Sequence, residues 1–211
     1  MKPLLLLALL QAAPAAPSPA PPAPTYKWSA DPSHSAVGFR VRHLGIAWVN
    51  GTFRKWTAEL SYDPANPENA AVIATIQAAS IDTGNERRDN DLRSADYLAT
   101  DTFPEITFVS REVERAGEGR LRITGDLTMR GVTRPVVLEA DVGGILATAR
   151  GRRTAFTATT TIKRQDFGVV FNRIVEGAQV VGDDVRITID FEAVEQRQER
   201  PPEPKSSGGR P

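Results

Sequence analysis

The 211-residue chain has no cysteine, which excludes a disulfide framework, thiolate metal sites, a cysteine nucleophile and a lipidated N-terminal cysteine. Histidine is scarce too, with only His34 and His43 to serve as general bases or imidazole ligands. Neither sign of charge dominates, because 26 Lys and Arg balance 26 Asp and Glu, so no sequence-wide electrostatic pull draws the chain toward nucleic acid or anionic lipid. The apolar run Leu4 to Leu10 is far below the roughly 20 residues that a membrane-spanning helix requires.

What is present is enough for a globular body. Hydrophobic residues make up 40% of the chain, too many for a mostly disordered one. Lys2 followed by Leu4 to Leu10 and then Ala13-Pro14-Ala15 reads as a secretory signal, so residues 1–15 are expected to be removed and the mature protein to be periplasmic or secreted. Residues 16–25 alternate proline with alanine and serine, the composition of an extended spacer. Residues 196–211 hold Pro201, Pro202, Pro204 and a Ser-Ser-Gly-Gly run, and are expected to be a disordered polar tail. Between them, residues 26–195 suffice for one domain with a substantial core or a small barrel.

The domain reads as strands. Val37, Phe39 and Val41 alternate with Arg40 and Arg42, the pattern of a half-buried strand. Val49, Gly51 and Phe53 continue it, and the phase then shifts to Trp56, Ala58, Leu60 and Tyr62, which predicts a bulge near Arg54 and Lys55. The run from Val72 to Ser80 is apolar and rich in alanine, with small residues on both faces that suggest close packing on both sides, whereas runs from Ile106, Leu121, Val136, Phe156 and Val185 are each apolar on one face and polar on the other. Tight turns such as Glu118-Gly119 and Gly131 to Pro135 leave no room for crossover helices, so antiparallel neighbours follow. Arg150, Arg152 and Arg153 around Gly151 read as a solvated hairpin tip. One interruption, Glu86 to Leu98, has helical character. About eight strands and one short helical insertion point to an all-β antiparallel barrel, whose interior either fills with side chains or holds one small ligand. Gly51, Ala74, Gly125, Ala140 and Ala158 on the inward face would leave apolar space along its axis.

Six motifs carry a family resemblance. They are Asp31-Pro32-Ser33-His34-Ser35 leading into Phe39 and His43, Ser80-Ile81-Asp82-Thr83, Asp91 to Asp96, Phe103-Pro104-Glu105-Ile106-Thr107-Phe108, Gly125 to Thr133, and Arg164-Gln165-Asp166-Phe167-Gly168. In this order, and over Tyr26 to Glu195, the chain resembles the YceI-like family of exported, lipocalin-like barrels that bind polyisoprenoid lipids. The resemblance implies an eight-stranded antiparallel lipocalin-like barrel with a long apolar pore and no reaction established for the family as a whole. Two departures, Tyr97-Leu98-Ala99 and Trp48, fall near the expected mouth.

The inward apolar residues could pack on one another or line that pore, and the resemblance favours the pore. Phe39, Val41 and Phe53, then Phe108, Leu127 and Met129, then Phe156 and Ile162 are the expected ligand contacts, with Leu92, Phe103 and Phe167 from the motifs between strands. His43 and Arg164 are candidates for touching a polar head group, although Arg164 also shares a predicted strand face with Asp166, where a salt bridge would serve the fold. No catalytic set is expected. Asp31, His34 and Ser35 have the residue types of a hydrolytic triad, but neighbours on a strand point to opposite faces. His34 and His43 are too far apart in an extended strand to share a metal ion, and Asp89-Asn90-Asp91 lacks the glycine and distal glutamate of a calcium loop, so it reads as a solvated helical face. The expectation is a protein that binds, sequesters or carries a polyisoprenoid, a quinone or its precursor, with that lipid as ligand and no cofactor. The alternative is an enzyme of lipid or quinone metabolism acting at the mouth through His34, His43 or Arg164. A membrane-integral barrel is not expected, because Arg40, Arg42, Arg122, Asp126, Arg186 and Asp190 fall on the outward face. Whether the chain pairs into a homodimer is not decided by the sequence.

Overall fold

The computed structural model describes residues 26–149, 151–172, 174, 175 and 178–196. The expected signal segment 1–15, the spacer 16–25, Arg150 and the tail from 197 onward lie outside the described residues.

The short strand β1 (Lys27–Ala30) is followed by a turn and then β2 (Ala36–His43), β3 (Ala47–Phe53) and β4 (Trp56–Ser61). Next come β5 (Ala71–Gln77), a two-residue strand β6 (Ile81–Asp82) and the helix α1 (Glu86–Arg93). The long strands follow: β7 (Glu105–Gly117), β8 (Arg120–Met129), β9 (Val132–Thr148) and β10 (Gly151–Lys163). A small ladder of β11 (Ile174–Val175) and β12 (Ala178–Gln179) precedes the closing strand β13 (Val181–Glu195).

Every pairing is antiparallel, and the sheet closes on itself through β13. One edge of β13 pairs with β10 from Lys163 to Arg153, and the other pairs first with β2 and then with β1. β1 and β2 therefore lie end to end in one stave, and β3 and β4 in the next, since β2 pairs with β3 and β1 with β4. With β5, β7, β8, β9, β10 and β13 this makes the eight-stranded barrel expected from the sequence.

The breaks within staves have local causes. Asp31-Pro32 starts the turn between β1 and β2: proline has no N–H for the ladder, and Asp31 Oδ1 accepts the Ser33 N–H at 3.0 Å. The expected phase shift at Arg54-Lys55 is a corner at which the chain leaves its pairing with β2 and β6 for β1 and β5. Asn85 caps α1 by accepting the Arg88 N–H at 3.0 Å, and Arg93 anchors the far end by donating to the carbonyls of Ala79 and Ile81, each at 2.8 Å. The expected solvated face of α1 needs correction at Asp89, which is buried and accepts the Thr83 N–H at 2.9 Å and the Thr83 hydroxyl. A carboxylate that folds the insertion back onto the chain before it cannot also face solvent.

The Arg152-Arg153 tip is corrected in the same way. It does lie at a hairpin, but Arg153 pairs with both Asp31 and Glu192, and Arg152 pairs with Glu195 at 3.3 Å while stacking over Tyr26. These ion pairs join β10 to β1 and β13 at the lower end of the barrel, the end opposite α1.

Candidate functional site

The barrel is hollow. Its axis is occupied by a cavity of about 260 Å³, roughly twenty times what one water molecule requires, with no polar atom facing it. The wall runs the full height, from Tyr62, Leu121 and Phe156 at the lower end to Val41, Val169 and Tyr97 at the upper. Burial along β13 shows the same hollowness. Val185, Ile187 and Ile189 point inward, yet each is only half-buried, because the inside of the barrel leaves part of each side chain uncovered.

Small residues create this space in two ways. Ala74, Ala140 and Ala158 stand on the wall and project little into the lumen. The glycines act differently from the expectation that they simply leave room. A Cβ on Gly51 would lie 2.4 Å from the Phe39 ring, and one on Gly125 would lie 2.4 Å from the Phe108 ring. Each ring packs directly over the glycine of the neighbouring strand, in the space a side chain there would take.

Of the sequence-predicted contacts, Phe39, Val41, Phe53, Leu92, Phe108, Leu127, Met129, Phe156 and Ile162 all line the cavity. Phe103 and Phe167 do not. Phe103 packs on the Gly131 turn, where a Cβ would meet its ring at 2.6 Å, and Phe167 is enclosed in the core beside the lumen. Both lie outside regular strands, Phe103 just before β7 and Phe167 in the turn after β10, where alternation gives no guide to direction. Trp56, Tyr62 and Phe191 are large wall residues that the motif reading passed over, although the alternation from Trp56 to Tyr62 and from Val185 to Phe191 placed all three inward.

Of the two head-group candidates, Arg164 borders the cavity and His43 does not. His43 is exposed at the end of β2 and is not part of the wall. Arg164 is buried at the upper end, in a short 3-10 turn (Arg164–Phe167) and not on a strand shared with Asp166. Its guanidinium donates to four backbone carbonyls: Gly182 at 3.0 Å, Phe171 at 2.9 Å, Val181 at 3.3 Å and Val169. With four of its five N–H donors committed, Arg164 ties residues 169–171 to the start of β13 while bordering the upper end of the lumen. Burial lowers its affinity for its proton relative to an ordinary arginine, and the nearby Asp183 carboxylate opposes that shift.

The triad residue types do gather, around Glu192 and outside the lumen. Ser35 Oγ accepts the Glu192 N–H at 2.9 Å, and His34 Nδ1 lies 3.3 Å from Asp31 and 3.8 Å from Glu192. Asp31, His34 and Glu192 could surround a cation, a grouping not legible in the sequence because Glu192 comes from the far end of the chain. The Arg153 guanidinium already lies against both carboxylates and offsets one of their two negative charges. Hydrogen bonding from Arg153, then from the Ser33 N–H and His34, holds the Asp31 carboxyl below the usual carboxylate range. Among the described residues no helix is long and apolar enough to cross a membrane, and the outer face carries Arg40, Arg122 and Asp190, unlike the apolar band of a membrane barrel.

Comparison with known proteins fits this architecture. A UPF0312 protein of Ectopseudomonas mendocina is 43% identical over 137 residues, which is 64% of this chain and 72% of that protein. The crystal structure of Burkholderia cenocepacia BcnA superposes with a TM-score of 0.71 at 26% identity, covering 78% of this chain and 99% of that one. A polyisoprenoid binding domain from Saccharophagus degradans shares the fold at 17% identity, with a TM-score of 0.60 over 80% of this chain and 98% of that one. The YceI-like domain matches residues 28–193, nearly the whole barrel, and the chain belongs to the YceI-like family.

Proposed function

We propose that this protein is a non-enzymatic lipid carrier that houses the isoprenoid tail of a quinone or quinone precursor in its barrel, after export to the periplasm or beyond. The observation that carries this reading is the wholly apolar lumen running from Tyr62 to Tyr97. A flexible hydrocarbon chain suits such a space, and a polar metabolite would lose its hydrogen bonds there. Burying roughly 400 Å² of isoprenoid surface yields on the order of 10 kcal/mol before ordering costs, so apolar contact alone can hold the ligand without a deep charge. The name of the Saccharophagus domain, a polyisoprenoid binding domain on the same fold, supports the ligand class. Catalysis draws no support from His34 and His43, which lie outside the lumen, or from Arg164, which borders it with four of its five N–H donors bound to backbone carbonyls.

The test is rebinding of an isoprenoid quinone by delipidated protein, followed by isothermal titration calorimetry. Leu127→Arg introduces a charge into the wall and is expected to abolish binding while circular dichroism still reports a folded barrel. Undiminished binding by the folded variant would remove the lumen as the site. Chemical conversion of the bound quinone would overturn the non-enzymatic reading.

A further inference from the structure

We propose that the upper end of the barrel docks on a bilayer surface bearing anionic head groups, with the β2–β3 hairpin as its foot. The proposal deepens the lipid-carrier reading and rests on it for its purpose, but its physical basis lies outside the lumen.

The first observation is a cluster of cations. Arg40 and Arg42 on β2 and Arg186 on β13 surround Trp48 of β3, with guanidinium carbons 4.7, 4.0 and 4.9 Å from its ring centroid. Register explains the grouping, since Arg186 pairs with Arg40 and Arg42 pairs with Trp48. None of the three takes part in a salt bridge among the described residues. The nearby acids Asp183 and Asp184 are instead engaged by Lys163, at 3.9 and 3.1 Å. Three like charges packed around one indole repel one another, and a surface of phosphate groups would relieve that repulsion.

The second observation is apolar exposure at the same end. Ile46, at the hairpin tip, is 80% exposed. Val170 is 65% exposed, and it adjoins Phe171, also exposed, in the segment that Asn172 fastens to Val181, whose partner on β2 is His43. Turn chemistry makes the tip more unusual. Leu44 and Gly45 both have positive φ, 51° and 73°, and the Ile46 N–H donates to the His43 carbonyl at 3.1 Å. Such a turn prefers Asn-Gly, and a leucine in the left-handed region is strained. Here a strained leucine and a bare isoleucine stand where polar residues would suit both the turn and water.

Cationic side chains around a tryptophan, with aliphatic residues at the projecting tip, make a footprint suited to a membrane interface. The arginines meet head groups, the indole sits at their level and the aliphatic tip enters the acyl boundary. The same end carries the upper wall of the lumen at Val41, Val169 and Tyr97, so docking would bring that end to the lipid source.

The experiment is co-sedimentation of the full chain with vesicles of phosphatidylcholine alone or mixed with phosphatidylglycerol. The chain is expected to bind the anionic vesicles, to ignore the neutral ones and to be released by salt. The combined Arg40→Gln, Arg42→Gln and Arg186→Gln variant should bind about a hundredfold more weakly. Ile46→Asp should weaken binding separately, and quenching by brominated lipid should be lost in Trp48→Phe. Circular dichroism and the lipid content of the same variants separate this proposal from the carrier reading. Variants that keep their isoprenoid but lose the vesicles support docking. Equal binding to neutral vesicles, unchanged binding by the folded triple variant, or self-association that the triple variant abolishes would overturn docking and leave the carrier reading standing. Vesicle binding by a protein that never carries lipid would refute the carrier reading alone.

Discussion

Filling the lumen should stabilise the lipid-free protein, whereas filling a true core would damage it. At about 24 cal/mol for each Å³ of unfilled space, the 260 Å³ lumen costs the empty barrel about 6 kcal/mol. That is a large share of the roughly 5–15 kcal/mol by which ordinary domains are stable. Ala158 is a suitable place to recover part of it. It sits on the inner face of β10, paired with Ala140 on one side and Ile189 on the other, and lines the cavity. In Ala158→Phe the ring would enter empty space and bury apolar surface worth about 1–3 kcal/mol. For a domain of this size each kcal/mol raises the melting temperature by about 2–4 °C. The assay is thermal unfolding of delipidated wild type and variant by circular dichroism, with Ala140→Phe as an independent second site. The variants should melt higher and hold less isoprenoid. If both melt lower, by the 1–3 kcal/mol that over-packing typically costs, the space is not there and the reasoning fails.

Two glycine substitutions should separate wall from backbone. Gly125→Ala places a Cβ 2.6 Å from the Val109 carbonyl oxygen, which cannot move aside, and should cost about 1–3 kcal/mol in urea denaturation; Gly51→Ala meets only side chains and should cost less while displacing the Phe39 ring and lowering lipid uptake. Equal losses from the two would contradict this. Arg164→Leu strands carbonyls at Val169, Phe171, Val181 and Gly182, and should speed hydrogen exchange at Val169–Asn172 and lower stability by at least about 1–3 kcal/mol; unaltered exchange there would count against Arg164 as a tie. Because Asp31 has a lower pKa folded than unfolded, its pairing with Arg153 stabilises above the unfolded value of about 3.9 and fades as pH falls through the lower folded value. The stability gap between wild type and Arg153→Gln should therefore narrow in acid, and a gap that widens there would refute the assignment.

The barrel was legible in the sequence wherever one strand face meets water. On β8, β9, β10 and β13 the inward residues Leu121, Ala140, Ala158 and Phe191 alternate with polar neighbours, and all four are buried on the inner side. β1 was not legible, because four residues are too few to show a period; its anchor is Trp28, whose indole N–H donates to the Tyr62 carbonyl at 2.9 Å. Nor could alternation distinguish a bulge at Arg54-Lys55 from a corner, since both shift the phase by one residue while only long-range pairing tells them apart. The wall of the site was legible to the same degree as the strands. Phe103, Phe167, His43 and Arg164 lie in turns or at strand ends, where direction is set by tertiary contacts such as the Gly131 turn and the carbonyls around Arg164.

The most direct measurement is mass spectrometry of the organic extract from protein purified out of its native source without detergent. An isoprenoid lipid at close to one molecule per chain is the expected result. Protein that is repeatedly recovered folded, at native abundance and with nothing extractable, would contradict a barrel built to carry lipid.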